Sequence, residues 1–280
     1  MNLLLSPRFA ILLIALAANL SAEVSVPSIF SDNMVLQRNR KNPVWGAADP
    51  GERITVRIGD QSKTTTADAT GKWQVVLEPM AAGGPFDLII KGGNTIKISN
   101  ILVGEVWVCS GQSNMEWSVA NSNNDDVEIA SANHDRIRFI TVPKKGTQVP
   151  QDDFEGGWEV CSPESVPDFS AIGYFFGRRI EQTLGVPVGL IDNSWGGSAA
   201  EAWVPREVFE ANPELAPILE KWDGWIADFS DEHLQELKAK HEIEVAEWEA
   251  NGREGRRPRA PQDIRIGQHR PANIYNGGVL

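Results

Sequence analysis

The feature that most constrains the fold is a change of hydrophobic pattern near residue 100. Before it, apolar and polar residues alternate with a period of two, as in residues 54–58, 73–77 and 86–90. Turn-forming sequences such as Asp-Pro-Gly at 49–51 separate these segments. Alternation of this kind is typical of strands with one buried face. Residues 23–100 are therefore predicted to form a small all-β sandwich domain.

After residue 100, buried apolar runs alternate with amphipathic helical patterns, which indicates an α/β fold. The predicted strands are the apolar runs at 101–109, 137–142 and 186–191. Residues 205–259 are charged and helical in pattern, and they are predicted to form an inserted helical pair. A chain of 280 residues suggests about two domains, so residues 101–280 are assigned to the second.

One helix of this second part has clear signals at both ends. Ser170 is a suitable N-cap, and Gly185 is a suitable stop. Four apolar residues between them are predicted to share the buried face of the helix: Ile172, Phe175, Phe176 and Ile180. The glycine-rich segment 193–198 follows the next predicted strand, where open α/β sheets place ligand-binding loops.

The first 22 residues resemble an export signal rather than part of the fold. Arg8 supplies a positive charge, residues 10–20 are apolar, and Ser21-Ala22 forms a small-residue cleavage site. The alternative, a membrane anchor, is disfavoured because the apolar run is shorter than the ~20 residues that span a bilayer. The protein is therefore predicted to be secreted or periplasmic, with no stable membrane span once the signal is removed.

The net charge and the cysteine content limit the classes of partner and the cysteine chemistry that are expected. The formal net charge is −12, which argues against a nucleic-acid partner. Cys109 and Cys161 are the two cysteines, too few for a disulfide scaffold. An exported protein permits one bridge, but two buried free thiols are the favoured prediction because Cys109 lies in an apolar strand pattern.

The segment with the strongest chemical signal runs through residues 106–117. A buried strand leads into a glycine turn at Gly111 and then presents Ser113 where a helix can begin. A serine hydroxyl at such a position can act as a nucleophile if a base removes its proton and amide N–H groups stabilise the oxyanion. The alternative is that Ser113 simply caps the helix. Met115 replaces the second glycine of a Gly-x-Ser-x-Gly elbow, which disfavours an α/β-hydrolase fold.

Gly-Gln-Ser-Asn-Met at 111–115, preceded by Trp-Val-Cys-Ser, resembles the nucleophile segment of the sialate O-acetylesterase family, a branch of the SGNH (GDSL-like) hydrolases. Six further stretches resemble that family: residues 32–37, 43–46, 158–162, 169–177, 189–197 and 201–203. The resemblance implies a flavodoxin-like SGNH domain and a carboxylic ester hydrolase that removes O-acetyl groups from carbohydrates. The namesake substrate is 9-O-acetyl sialic acid, and neither a metal nor an organic cofactor is implied.

The resemblance also implies roles for individual residues. Ser113 would be the nucleophile and would supply one oxyanion donor through its own N–H, and Gly196 or Gly197 would supply a second. The substrate-binding residues would be Gln112, Asn114, Trp195, Glu201 and Trp203. A tight turn explains the two glycines equally, and core packing or turn hydrogen bonds are the alternative for the others.

Two elements of the family pattern are absent. Neither the Asp-x-x-His-Pro element, which supplies the base and its orienting acid, nor the Tyr-Gln-Gly-Glu-Ser-Asn element occurs in this chain. Residues 270–280 resemble a mid-domain passage of longer relatives, so the chain is expected to be a C-terminally truncated fragment with little activity and an exposed sheet edge. The sequence places none of its four histidines next to Ser113: His134, His233, His241 and His269.

Three other functions stay open at this point. A carbohydrate-binding protein could retain the fold without catalysis, and an acetyl xylan esterase could use the same machinery. A lipase or peptidase is the third, although the absent second glycine counts against its usual elbow.

Overall fold

The computed structural model describes residues 23–278, so the predicted signal peptide at 1–22 lies outside the described residues. The strands are β1 (Val35–Gln37), β2 (Asn42–Ala47), β3 (Arg53–Ile58), β4 (Gln61–Thr66), β5 (Lys72–Leu77), β6 (Gly83–Lys91), β7 (Thr95–Gly111), β8 (His134–Thr141), β9 (Glu159–Cys161) and β10 (Val188–Ser194). The helices are α1 (Ser113–Glu116), α2 (Asp125–Ala130), α3 (Ala171–Leu184), α4 (Arg206–Ala211), α5 (Ala216–Ala227), α6 (Asp231–Ala250) and α7 (Asn273–Gly278).

Residues 23–100 contain strands and turns and no helix. Strands β3 and β5 bury every second side chain, as their alternating sequences predict. Strands β2 and β5 pair as a separate antiparallel sheet, and β4, β3, β6 and β7 are neighbours in the larger one. Side chains of both sheets, among them Val44, Ile54 and Leu88, share one hydrophobic core. The assignment of this part as a sandwich domain stays a prediction.

Strand β7 joins the two halves of the sequence. Its first part pairs with β6 and β1, and its second part, Glu105–Gly111, pairs with β10. The predicted domain boundary near residue 100 therefore lies inside a continuous strand, close to Asn100 with its left-handed φ of 59°. No strand of the described residues pairs with the other side of Glu105–Gly111. Val108, within this segment, is 64% exposed.

The second half has the α/β architecture that its sequence pattern predicts. Strands β7, β10 and β8 are parallel neighbours in that order, and the short strand β9 adds an antiparallel edge. All three predicted strands are therefore present. In a flavodoxin-like sheet, the first parallel strand lies between the second and the third. Here the third, β10, lies between the other two, so the strand order gives no support to the flavodoxin-like prediction.

Helix α3 begins and ends where the sequence predicts, but its buried face is different. The Ser170 side chain accepts a hydrogen bond from Gly173 N, and Gly185 ends the helix with φ 64°. Half of the predicted face is confirmed, because Phe175 and Ile180 pack against the hydrophobic core. The other half was wrong: Ile172 and Phe176 are exposed, and Tyr174 is buried in their place together with three small residues. The physical reason is close packing, because a Cβ at Gly177 would lie 2.7 Å from a Leu190 side-chain carbon on β10.

Three helices, α4 to α6, lie within residues 205–259, where a helical pair was predicted. Trp222 and Leu234 are buried, whereas Trp225 is 46% exposed. None of the helices within residues 23–278 is long and apolar enough to cross a membrane.

Both cysteines are buried and unbridged, as predicted. Burial raises the pKa of the Cys109 thiol to about 11 and that of Cys161 to about 12. We expect neither thiol of the folded protein to react with a disulfide reagent at pH 8 within minutes, because only about a thousandth or less of each is then thiolate and both are shielded. Titration in 6–8 M urea, roughly, is the control and should release two thiols per chain. Rapid labelling without urea would contradict the burial.

Candidate active site

The carboxyl ends of the three parallel strands lie at the same end of the sheet. Strand β7 ends at Gly111, β8 at Thr141 and β10 at Ser194. Parallel strands present their carboxyl ends on the same side, where open α/β sheets bind ligands. Residues 195–198 follow β10 at this edge, and Trp195 N donates a hydrogen bond of 3.0 Å to Gly111 O. This bond fixes the loop after β10 against the end of β7.

Ser113 is exposed and is the first residue of α1. Gly111, with φ 141°, makes the turn that leads to it. The N-cap of α1 is Gln112, and no side chain caps this helix, so the alternative that Ser113 caps the helix is wrong. Ser113 Oγ instead donates to Gln112 Oε1 at 3.2 Å and accepts from Gly197 N at 3.2 Å. The hydroxyl therefore faces the loop after β10.

The two loop glycines have different partners. Gly197 adopts a left-handed φ of 70° and directs its N–H at Ser113 Oγ. Gly196 N donates to a carboxylate oxygen of Glu116, three residues after the serine. Because the Gly196 amide is engaged, Gly197 is the loop residue whose N–H is aimed at the serine hydroxyl.

Glu116 and Lys144 belong to the site, and the sequence analysis did not identify them. The second carboxylate oxygen of Glu116 accepts a hydrogen bond from Lys144 Nζ, on the segment after β8. The pair therefore connects residues that follow all three parallel strands. A Ser-x-x-Glu pattern at 113–116 was a visible signal, but it predicts a capping box within the helix, whereas Glu116 reaches across to Gly196.

The predicted substrate-binding residues differ in their exposure and in their hydrogen bonds. Asn114 is exposed and makes no hydrogen bond to another described residue, and Trp195 is half-buried in the loop. Trp203 Nε1 donates to Ser198 Oγ at 3.0 Å, which ties its indole to the same loop. Glu201 has a structural role through its backbone, since its carbonyl accepts from Ala272 N at 3.1 Å.

None of the four histidines hydrogen-bonds Ser113 within the described structure. His134 begins β8, at the end of the sheet opposite the site. His233 and His241 lie in α6, and His269 is exposed beside Gln268. The hydrogen-bond partners of the serine hydroxyl among residues 23–278 are therefore an amide oxygen and an amide N–H, and neither is a general base.

A buried carboxyl lies near the end of β10. Asp192 is 6% exposed, and burial raises its pKa above the ordinary value. Its Oδ1 has no hydrogen-bond partner among the described residues. Because it is buried, we assign Asp192 no contact with substrate.

A scan against models of protein families finds no match. The human sialate O-acetylesterase is 34% identical over 199 residues, and the mouse sialate O-acetylesterase is 30% identical over 229 residues. The chain is a relative of the sialate O-acetylesterases. The family resemblance that the motifs indicated is thereby confirmed.

The matched regions are unequal parts of the proteins compared. The human sialate O-acetylesterase alignment covers 63% of this chain and 38% of the relative, and the mouse one covers 73% and 42%. The chain thus spans about two fifths of the length of these sialate O-acetylesterases.

A solved structure agrees with the sequence relatives. It is described as a novel carbohydrate acetylesterase from Xanthomonas citri, and it is 39% identical with a TM-score of 0.64. The match covers 65% of this chain and 42% of the Xanthomonas protein. This chain therefore shares its α/β fold, over about two thirds of its length, with a protein described as a carbohydrate acetylesterase.

Proposed function

We propose that this protein is, or is part of, a carbohydrate O-acetylesterase with Ser113 as its nucleophile. The observation that carries the proposal is the exposed Ser113 hydroxyl at the carboxyl ends of the strands, with Gly197 N 3.2 Å from its oxygen. The names of the relatives, a set of sialate O-acetylesterases and a carbohydrate acetylesterase, support the substrate class.

In the proposed reaction, Ser113 Oγ attacks the carbonyl carbon of an acetyl ester, and its proton passes to a general base. Negative charge then develops on the carbonyl oxygen. Gly197 N–H is well placed to stabilise it, and so is the N–H of Ser113, which has no intrahelical acceptor at the first helical position. Collapse of the intermediate breaks the bond between the carbonyl carbon and the sugar oxygen, which takes the proton back from the base and leaves as a hydroxyl. Water then attacks the acetylated serine, and acetate is released as the serine hydroxyl is restored.

No described residue that hydrogen-bonds Ser113 Oγ is a general base. Gln112 Oε1 receives the serine hydrogen bond, but an amide oxygen is not a base at neutral pH. Without a base, a residual rate about 10³-fold to 10⁴-fold over water is typical, several orders of magnitude below a complete site. We therefore propose that this chain alone hydrolyses acetyl esters slowly.

Substrate identity is tested directly by acetate release. The substrates are 9-O-acetyl sialic acid, acetylated xylo-oligosaccharides and an aryl acetate. Each is incubated with the chain and with its extended form, meaning the longest natural protein that contains residues 1–280. We expect Ser113-dependent release from at least one sugar ester. Release from the aryl acetate alone would reject the carbohydrate assignment, and the ratio between the two sugar esters identifies the specificity.

A second candidate, a carbohydrate-binding protein without catalysis, is favoured by one observation. No histidine contacts Ser113 in the described part of the chain. This second function predicts that the protein binds glycans and that neither the chain nor its extended form shows Ser113-dependent acetate release.

Other assignments are also proposals: the export signal at 1–22, secretion or periplasmic location, the division at residue 100, and the SGNH identity of residues 101–280. Their support is the sequence pattern given above and, for the last, the Xanthomonas relative.

Glu116 offers a test of how the loop is held. In the extended form, we expect Glu116→Ala to lower Ser113-dependent hydrolysis about tenfold or more, because Gly196 N loses its acceptor and the Gly197 N–H loses its fixed direction. The Glu116–Lys144 pair is partly exposed, so the free energy of unfolding should change by less than about 1 kcal/mol. Kinetics and urea titration measure the two effects. An unchanged rate would show that the loop holds its position without this carboxylate.

A further inference from the structure

We propose that the outer face of β2 and β5 carries a binding cleft for a neutral glycan chain, centred on Trp45. The inference rests on the proposed function in one respect, since the bound chain would be a continuation of the acetylated carbohydrate. The binding itself requires no catalysis. It assigns a role to residues 23–100 that neither the sequence motifs nor the relatives specify.

The cleft has a volume of about 630 Å³ and lies between this sheet face and the loop after β8. Alternation along the two strands directs Trp45, Lys72 and Gln74 outward, and Trp45 is paired with Gln74 in the strand register. Asp152 and Asp153 line the opposite side. An aromatic ring beside amide, ammonium and carboxylate groups suits a sugar, whose C–H groups pack on the ring and whose hydroxyls need polar partners.

The surroundings of Trp45 hold the cleft in shape. The indole packs edge-to-face on Phe30, with ring centroids 4.6 Å apart, and stays 38% exposed. Asp153 Oδ1 accepts hydrogen bonds of 2.7 Å from Ser28 N and from Phe154 N, which fix the far wall. A site with fixed walls loses little conformational entropy when a ligand binds.

The charges in the cleft select against an anionic ligand. Three carboxylates line it, Asp68, Asp152 and Asp153, against the single ammonium group of Lys72. That ammonium lies 3.3 Å from Asp152 Oδ2, so it is already partly neutralised. A neutral sugar is therefore favoured here over a sialic acid, whose carboxylate would face an excess of negative charge.

The cleft is continuous with the side of the protein that holds the serine. A second cavity of about 450 Å³ shares Trp45, Asp152 and Asp153 with it and extends to Ser110 and Trp203. Trp203 is hydrogen-bonded to the loop that faces Ser113. One extended ligand can therefore contact Trp45 while another of its units lies near the serine, which favours an oligosaccharide over a single sugar.

Calorimetric titration of the folded chain tests this with two probes, neutral xylohexaose and anionic oligosialic acid. We expect saturable binding of xylohexaose and a weakening of about fivefold or more with Trp45→Ala. Trp225→Ala is the matched control, since it removes a tryptophan of similar exposure outside the cleft, in α5. Gln74→Ala changes an exposed side chain beside Trp45 and should weaken binding about threefold, which keeps the test valid if Trp45→Ala fails to fold.

Several results would overturn the cleft: no saturable binding of xylohexaose at millimolar concentrations, tighter binding of oligosialic acid, or equal losses in the Trp45 and Trp225 variants. Xylohexaose carries no acetyl group, so its binding tests the cleft independently of the esterase reaction. Trp45-dependent binding without any Ser113-dependent hydrolysis would reject the esterase and retain the cleft.

Discussion

Replacing Ser113 with alanine is expected to lower acetate release from an aryl acetate by at least about 10³-fold in the extended form of the protein. The reason is that the hydroxyl is the atom that forms the acetyl-enzyme bond, and no neighbouring nucleophile takes its place. In the chain of residues 1–280, the same substitution should change a rate that is already slow by about tenfold or less, because no base contacts the serine oxygen.

The control for this substitution is Ser62→Ala, which removes an exposed hydroxyl on β4, away from the candidate site. Both side chains are exposed, so neither change should alter the free energy of unfolding by more than about 0.5 kcal/mol. Acetate release is measured with purified wild-type and variant proteins at equal concentration. Equal rates for Ser113→Ala and wild type in the extended form would remove Ser113 as the nucleophile.

Replacing Gly104 with alanine is expected to destabilise the protein by about 3 kcal/mol. Gly104 is buried in the middle of β7, and an added Cβ would fall on the carbonyl oxygen of Pro187. That carbonyl is backbone and also accepts a hydrogen bond of 2.9 Å from Glu105 N, so it cannot move without loss of pairing at the start of β10. Urea titration of the unfolding transition measures the change.

Gly224→Ala is a matched control for the same chemical change. Gly224 lies in the exposed part of α5, and a Cβ there would meet nothing within 4 Å. Since alanine favours a helix over glycine, this substitution should stabilise the protein by about 0.5–1 kcal/mol. Opposite signs for the two substitutions are expected, and a neutral Gly104→Ala would show that β7 and β10 do not approach as closely as described.

The strands and the ends of α3 were predictable because their signals are local. Alternation along β3 and β5 fixes which side chains are buried, and Ser170 and Gly185 each have a short-range reason to begin and end a helix. The buried face of α3 was only partly predictable from hydrophobicity, which identified Phe175 and Ile180 but also the exposed Ile172 and Phe176. Two small residues, Gly173 and Gly177, decide it, because they let the helix approach the sheet more closely than Ile172 or Phe176 would allow.

The candidate site also has one part that local sequence predicts and another that depends on tertiary structure. Ser113 was identified from a short segment, since the strand, the glycine turn and the serine are consecutive. Its relation to Gly197, 84 residues away, required the parallel pairing of β7 with β10. The Glu116–Lys144 pair joins residues 28 positions apart on segments that no local pattern connects.

The sequence by itself determined the strand pattern, the family and the choice of Ser113 as candidate nucleophile, because each depends on residues close together in the chain. Tertiary structure alone decided that Gly196 is held by Glu116 while Gly197 faces Ser113, and that Trp45 lines a cleft that continues toward Trp203. These relations depend on which strands become neighbours. That choice is made by long-range packing around β7, where one strand pairs with both halves of the molecule.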